Sequence, residues 1–94
     1  MNFTYSNIRF TKDAAGNWLN VEGEIQNLTN KNYNAVAFRI VLFLNNTPAA
    51  NAVLVINGFP AMQSRYFEQK IEELDYSDQI KEMLRCEIYP ETAY

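Results

Sequence analysis

The side chains capable of nucleophilic chemistry are few in this sequence. Cys86 is the single thiol, and the chain contains no histidine that could activate it. A Ser–His–Asp or Cys–His pair, an internal disulfide and a cysteine-based metal cluster are therefore excluded. Cys86 also lies between Leu84 and Ile88 on the apolar row of a predicted strand, so we expect a buried, unreactive thiol. We predict no catalytic residue and no enzymatic activity.

Four carboxylates near the C-terminus form the main candidate for a cation site: Glu72, Glu73, Asp75 and Asp78. They could hold Ca²⁺ if a turn gathered them, but they lack the spacing of aspartates and the closing glutamate of an EF-hand. A solvated strand end explains them better. We therefore predict neither a metal nor a cofactor.

The charges are unevenly distributed. The net charge is −3, with +1 in residues 1–62 and −4 in residues 63–94. This acidic balance argues against nucleic-acid binding, which requires clustered Lys and Arg. The C-terminal charges are typical of a solvated sheet face, and the alternative is an acidic patch that attracts a basic partner or a cation.

Thirteen aromatic residues could provide contact surface. Trp18, Phe43, Tyr66 and Tyr89 fall on positions predicted to face outward or toward a second covering layer. An exposed aromatic row would let a β-sandwich stack on a sugar or a peptide. Alternatively, these rings cover the second face of a sheet or pack under loops.

The spacing of apolar residues predicts strands. Residues 18–28 alternate, with Leu19, Val21 and Ile25 on one face and Gly23 on the same row, where we expect a bulge or a close backbone approach. Residues 34–44 are apolar on both faces, which is typical of a strand that is central or covered from outside; we predict that it lies at the centre of the sandwich. Shorter or more polar strands are predicted at residues 52–56, at residues 65–74 and from residue 84 until Pro90. The first strand changes parity, which predicts a bulge near Ser6 and Asn7.

Turn residues separate these strands, and most of the twelve asparagines lie in the predicted connections, including Asn45-Asn46, which is expected to end the central strand. Asn57-Gly58 is expected to end the strand at residues 52–56, and Ser77 is expected to cap a short helix over residues 77–83. Six or seven strands at this spacing predict one all-β domain over residues 1–94, an antiparallel immunoglobulin-like β-sandwich.

No segment of this sequence has the pattern of a transmembrane helix or of a signal peptide. The longest apolar runs have five residues, against roughly 20 for a transmembrane helix. The first residues have neither the basic nor the apolar region of a signal peptide. We expect a cytoplasmic protein as the chain stands, and an envelope or secreted protein if a leader was removed.

One predicted strand lacks the usual protection of a sheet edge. Residues 49–56 carry no charge, although edge strands normally carry a charge, a proline or a bulge. Val53 and Val55 share one face of this strand, and Leu54 and Ile56 share the other. If the strand is an edge, we expect a homodimer along it or over its outer face; if it is internal, both pairs belong to the core.

Residues 21–88 resemble the FxLYD-type domains and related immunoglobulin-like modules of bacterial envelope proteins and lipoproteins. The resemblance begins with the segment Val21-Glu22-Gly23-Glu24-Ile25-Gln26-Asn27, similar to the V-x-G-x-hydrophobic-x-N pattern of that family. It continues through Tyr33, the apolar strand and Phe67-Glu68 to Cys86-Glu87-Ile88. The F-x-L-Y-D motif falls on residues 40–44, where Leu42 is identical, Phe43 replaces Tyr and Leu44 replaces Asp. The resemblance implies an accessory domain without catalysis.

We therefore expect a non-catalytic module that binds a protein partner or a second copy of itself. Alternatives are a carbohydrate-binding module that uses exposed aromatic rings, and a small proteinase inhibitor, which resembles this chain in size and strand pattern. The candidate interaction surface consists of Trp18, Phe43, Val53, Val55, Ile56, Tyr66 and Tyr89.

Overall fold

A computed structural model describes residues 2–94 of the chain. The elements are β1 (Phe3–Lys12), β2 (Trp18–Asn27), β3 (Tyr33–Leu44), β4 (Thr47–Phe59), β5 (Ser64–Asp75), α1 (Asp78–Met83) and β6 (Leu84–Ala93). The first sheet has the strand order β1-β2-β5, and the second has the order β4-β3-β6. All neighbouring strands are antiparallel. The two sheets pack together, so the prediction of an all-β antiparallel sandwich with six or seven strands is confirmed.

The core lies between the two sheets. Because successive side chains of a strand point to opposite faces, every second residue of β3 from Val36 to Leu42 is fully buried, and Leu19, Val21 and Ile25 of β2 are buried in the same way. The prediction that residues 34–44 form a central strand is confirmed, since β3 lies between β4 and β6.

Two local features in the first sheet agree with the sequence. The register between β1 and β2 shifts between Ser6 and Arg9, and Asn7 has a φ of 54°, so the predicted bulge is present. Gly23 faces this bulge. A Cβ atom on Gly23 would lie 2.5 Å from Cδ1 of Ile8 and 3.1 Å from the carbonyl oxygen of Ser6. The close approach expected at Gly23 is confirmed.

Two predicted strand ends are wrong. β4 does not stop at Asn57-Gly58, because Asn57 pairs with Ala35 and the strand continues to Phe59. Gly58 lies within this paired segment and has a φ of 67°. β6 likewise continues through Pro90, which a strand paired on only one side tolerates.

The predicted turn and helix signals near the ends of the second sheet are confirmed. Asn45 and Asn46 have φ values of 50° and 65° and form the two-residue turn that joins β3 to β4. The Ser77 hydroxyl accepts a hydrogen bond from the Ile80 amide and caps α1. In the described part of the chain, no helix has the length and apolar character needed to cross a membrane.

Asn27 connects two of the three crossings between the sheets. It is fully buried, and its Nδ2 donates to the carbonyl oxygens of Lys31, Phe59 and Pro60 at 3.0, 3.2 and 3.1 Å. Its Oδ1 accepts from the amide and the hydroxyl of Thr29. The β2–β3 and β4–β5 connections are therefore held together at one end of the sandwich.

Candidate interaction surfaces

The strand order separates the predicted surface residues into two groups. Trp18 and Tyr66 lie on the outer face of the first sheet, and Phe43, Val53, Val55 and Tyr89 lie on the outer face of the second. The two outer faces are on opposite sides of the sandwich, so the four aromatic residues do not form one row. Ile56 belongs to neither group. Its inclusion in the surface was wrong, because its side chain points into the core and is 8% exposed.

β4 is an edge strand of the second sheet and is paired only with β3. Its outward side chains include Val53, which is 43% exposed, and Val55, which is 53% exposed. Its inward residues Leu54 and Ile56 are each 8% exposed and belong to the core. The outer side of β4 is paired with no other strand, so its main-chain groups lie beside two exposed valines. The Gly58 carbonyl oxygen, near the end of the strand, accepts a hydrogen bond from Nη2 of Arg65 at 2.6 Å.

The sequence around β4 is free of charge over a long stretch. Arg39 and Arg65 are the charged residues that bound it, and residues 40–64 contain no Asp, Glu, Lys or Arg. This stretch includes the whole of β4 and the turn before it. No side-chain charge of β4 itself opposes the approach of another strand.

Arg39 crosses the outer face of the second sheet and ties its three strands together. Its guanidinium donates from Nε to Oε2 of Glu91 at 3.2 Å and from Nη2 to Oε1 at 3.0 Å. It also donates from Nη1 to Oδ1 of Asn51 at 2.8 Å. Its neighbours in the register are Val53 on β4 and Tyr89 on β6, so Arg39 lies between these two exposed side chains on the same face of the sheet.

The role of Arg39 was missed at the sequence level. The sequence feature that could have indicated this role is that Arg39 is the single charged residue of β3. Asn51 and Glu91 gave no comparable signal, because their contacts with Arg39 depend on the register of both neighbouring strands.

Phe43 is partly covered on this face. The guanidinium carbon of Arg85 lies 4.2 Å from the centre of the Phe43 ring, a cation–π contact. Arg85 in turn donates from Nη1 to Oε2 of Glu87 at 2.7 Å. Phe43 thus contributes to the apolar face but is less available than the two valines and Tyr89.

The outer face of the first sheet is polar by contrast. Glu22 accepts a hydrogen bond from the Tyr66 hydroxyl at 2.6 Å, another from Arg9 at 3.3 Å and a third from the Thr11 hydroxyl. The bond from Thr11, followed by that from Tyr66, lowers the pKa of Glu22. The bond to Glu22 raises the pKa of Tyr66 to about 12. Tyr66 is therefore exposed, but its hydroxyl is already engaged within the sheet.

The ring of Trp18 is also in contact with neighbouring residues of its own chain. The ammonium group of Lys70 lies 3.8 Å from the ring centroid of Trp18. The loop before β2 packs against the same ring, since a Cβ atom on Gly16 would lie 2.4 Å from its Cζ3. Both contacts use ring surface that a stacking ligand would need.

The other candidate groups are separate from these surfaces. Cys86 is partly buried on the core side of β6, and this burial raises the pKa of its thiol. The carboxylates of Glu72, Glu73, Asp75 and Asp78 are exposed. Within residues 2–94, no three acidic or cysteine side chains come together in a geometry that could hold a metal ion. The same residues enclose no pocket.

Comparison with models of protein families, with curated proteins and with solved structures gave no match.

Proposed function

We propose that this protein is a non-catalytic interaction module that binds protein along β4 and over the adjoining outer face of the second sheet. The carrying observation is that β4 is an edge strand without charge and with Val53 and Val55 about half exposed. An extended segment of a partner can add to such an edge through main-chain hydrogen bonds, while outward side chains supply specificity.

The other free edges support this choice because each has a feature within its paired length that hinders strand addition. In β4 the proline and the register shift lie at residues 48–50, before the regular segment of residues 51–57. β1 carries the bulge at Asn7 and the charged residue Arg9. β6 contains Pro90 together with Arg85 and Glu87. β5 is the most highly charged strand; its charged residues are Arg65, Glu68, Lys70, Glu72, Glu73 and Asp75.

The strand arrangement also supports an immunoglobulin-like module. In the seven-stranded form of that fold, strands one, two, four and five form one sheet, and strands three, six and seven form the other. Here the first, second and fifth strands likewise share one sheet and the third pairs with the sixth, while β4 lies beside β3 instead of in the first sheet. The proposal includes what the FxLYD-type resemblance implies, namely an accessory domain of a bacterial envelope protein.

A carbohydrate-binding function has less support. Lys70 and the Gly16 segment already contact Trp18, and the Tyr66 hydroxyl is bonded to Glu22. The aromatic platform that such a function needs is therefore divided between two faces and partly occupied.

Affinity capture with substituted baits tests the proposed function. Val55→Lys places a charge on the β4 edge, and Tyr66→Lys places one at a residue of similar exposure on the opposite sheet. We expect a protein captured by the wild type to be lost with Val55→Lys and retained with Tyr66→Lys. Retention by Val55→Lys together with loss by Tyr66→Lys would contradict the proposal, as would binding by none of the three baits.

A further inference from the structure

The sequence of β4 is close to a palindrome by residue class. Leu54 lies at the centre of the palindrome, one residue beyond the middle of β4, and across residues 51–57 residues at equal distances on either side belong to the same class. Further out, Ala49 and Phe59 differ in size. The matching pairs are Val53 with Val55, Ala52 with Ile56, Asn51 with Asn57, and Pro48 with Pro60. The two prolines stand near the two ends of the strand, Thr47 and Phe59.

This near-symmetric sequence is suited to pairing with a second copy of the same strand. When two copies of one strand pair antiparallel about a two-fold axis, residues at equal distances from the centre lie opposite each other. Pairing centred on Leu54 sets Val53 of one copy against Val55 of the other, and Asn51 against Asn57. Every outward apolar residue in residues 51–57 then meets an apolar residue, and every outward asparagine meets an asparagine.

We propose that the partner of β4 is a second copy of this chain, paired antiparallel along β4 with Leu54 at the two-fold axis. The two second sheets become one continuous sheet of six strands in the order β6-β3-β4-β4-β3-β6. This inference rests on the proposed function, because it uses the same edge and names its occupant.

The charge pattern favours self-pairing at β4 over the other edges. Like charges directly opposite each other in a sheet are destabilising. Symmetric pairing centred on Lys70 of β5 would set Glu68 against Glu72 of the second copy, and pairing centred on Glu87 of β6 would set Arg85 against Tyr89 and Glu87 against itself. β4 has no charge to oppose. Each copy has a net charge of −3, so the neutral edge is also the place where two copies repel each other least.

The buried area sets the expected strength of the dimer. Residues 51–57 span about 24 Å at about 3.4 Å per residue, and one sheet layer is about 10 Å thick. The contact footprint is on the order of 250 Å² per copy, or about 500 Å² for both copies together. That value is below the roughly 1,200 Å² at which stable specific complexes begin, in the range of weak, transient ones. We therefore expect a reversible dimer with a dissociation constant in the micromolar range or weaker.

Sedimentation velocity over a concentration series up to about 1 mM tests the dimer. We expect the wild type to shift from monomer to dimer with rising concentration. Val53→Lys and Val55→Lys each put two lysines into the symmetric interface, and each should weaken dimerisation about tenfold or more. Tyr89→Lys is the matched control, since Tyr89 is 47% exposed on the same face but on β6. It should leave the dimer unchanged.

Disulfide trapping tests the register. In a Cys86→Ala background, a mixture of Val53→Cys and Val55→Cys chains places the two new thiols directly opposite each other, within the Cα separation that a disulfide requires. The mixture should form a crosslinked dimer faster than either variant alone. Equal rates in all three samples would overturn the pairing centred on Leu54.

Other outcomes separate this inference from the proposed function. A wild type that stays monomeric up to 1 mM overturns the second copy as partner. If its capture of another protein still depends on Val55, the proposed function remains. A dimer that survives both lysine substitutions on β4 but is lost with Tyr89→Lys uses the outer face, and it also overturns pairing along the edge. Circular dichroism of each variant shows that the fold is retained, as expected for side chains about half exposed.

Discussion

Replacing Phe38 with alanine removes the ring on which the aromatic side chains between the two sheets converge. Phe38 is fully buried. Its ring centroid lies 5.1 Å from that of Phe3, 6.2 Å from that of Tyr5 and 6.4 Å from that of Phe59, in edge-on arrangements. These partners come from β1 and β4, so the substitution affects both sheets at once.

The expected loss follows from burial and from these contacts. Phe→Ala at a buried site costs about 3–5 kcal/mol, and the lost edge-on pairs place Phe38 toward the upper end of that range. A domain of 94 residues has a free energy of unfolding of about 5–14 kcal/mol. We therefore expect Phe38→Ala to lower the free energy of unfolding by between a third and nearly all of its wild-type value.

Urea unfolding followed by circular dichroism measures this effect, with two companion variants. Phe38→Leu keeps most of the volume and should cost about 1.5 kcal/mol or less. Phe43→Ala, on the outer face under Arg85, should cost about 1 kcal/mol. Similar losses for Phe38→Ala and Phe43→Ala, with unchanged m-values, would refute the assignment of Phe38 to the centre of the core.

Three further substitutions test separate features. Asn27→Ala leaves three carbonyl groups, one of them buried, without their donor and should cost about 3 kcal/mol in urea unfolding. Glu22→Gln removes the charge bonded to Tyr66, so the pKa of Tyr66 should fall from about 12 toward 10 in an absorbance titration, while that of Tyr5, raised to about 12 by burial, should not change. Because the pKa of Glu22 is lowered in the folded state, Glu22 stabilises the wild type above its ordinary pKa of 4.5, and this contribution is lost as the pH falls below it. Gly58→Ala forces alanine to a φ of 67° in open space and should cost about 1 kcal/mol by the same urea measurement.

Each of these expectations has a result that contradicts it. A loss below about 1 kcal/mol for Asn27→Ala would show that the loop carbonyls find other donors. An unchanged Tyr66 titration in Glu22→Gln would place the origin of the pKa shift elsewhere. A stabilising Gly58→Ala would mean that the backbone at that position relaxes out of the left-handed region.

The sequence predicts the fold well where a single strand determines the pattern. The alternation in β2 depends on one sheet face being buried, and the apolar character of both faces of β3 depends on its central place, so both features can be predicted without knowing the neighbouring strands. The β1 bulge was equally local, because a change of parity within one strand requires it.

Predictions that depended on two strands were less successful. Asn57-Gly58 has strong turn preference, but pairing of β4 with β3 continues past it, since Ala35 and Tyr33 still provide partners. The burial of Ile56 and the exposure of Val55 can be predicted only when the sheet that contains β4 is known. The division of the aromatic residues between two faces likewise follows from strand order, which alternation within one strand does not contain.

The bonds of Asn27 have a consequence for the order of events in folding. Two hairpins, β1–β2 and β3–β4, close through short turns and involve neighbouring parts of the chain. Asn27 reaches the carbonyl groups of Phe59 and Pro60 over 32 and 33 positions, so these bonds form only after the hairpins have docked. Contacts over such distances slow folding, because the chain entropy is lost before the contacts stabilise it. The Asn27 bonds therefore form late in folding. They lower the unfolding rate of the assembled sandwich more than they raise its folding rate.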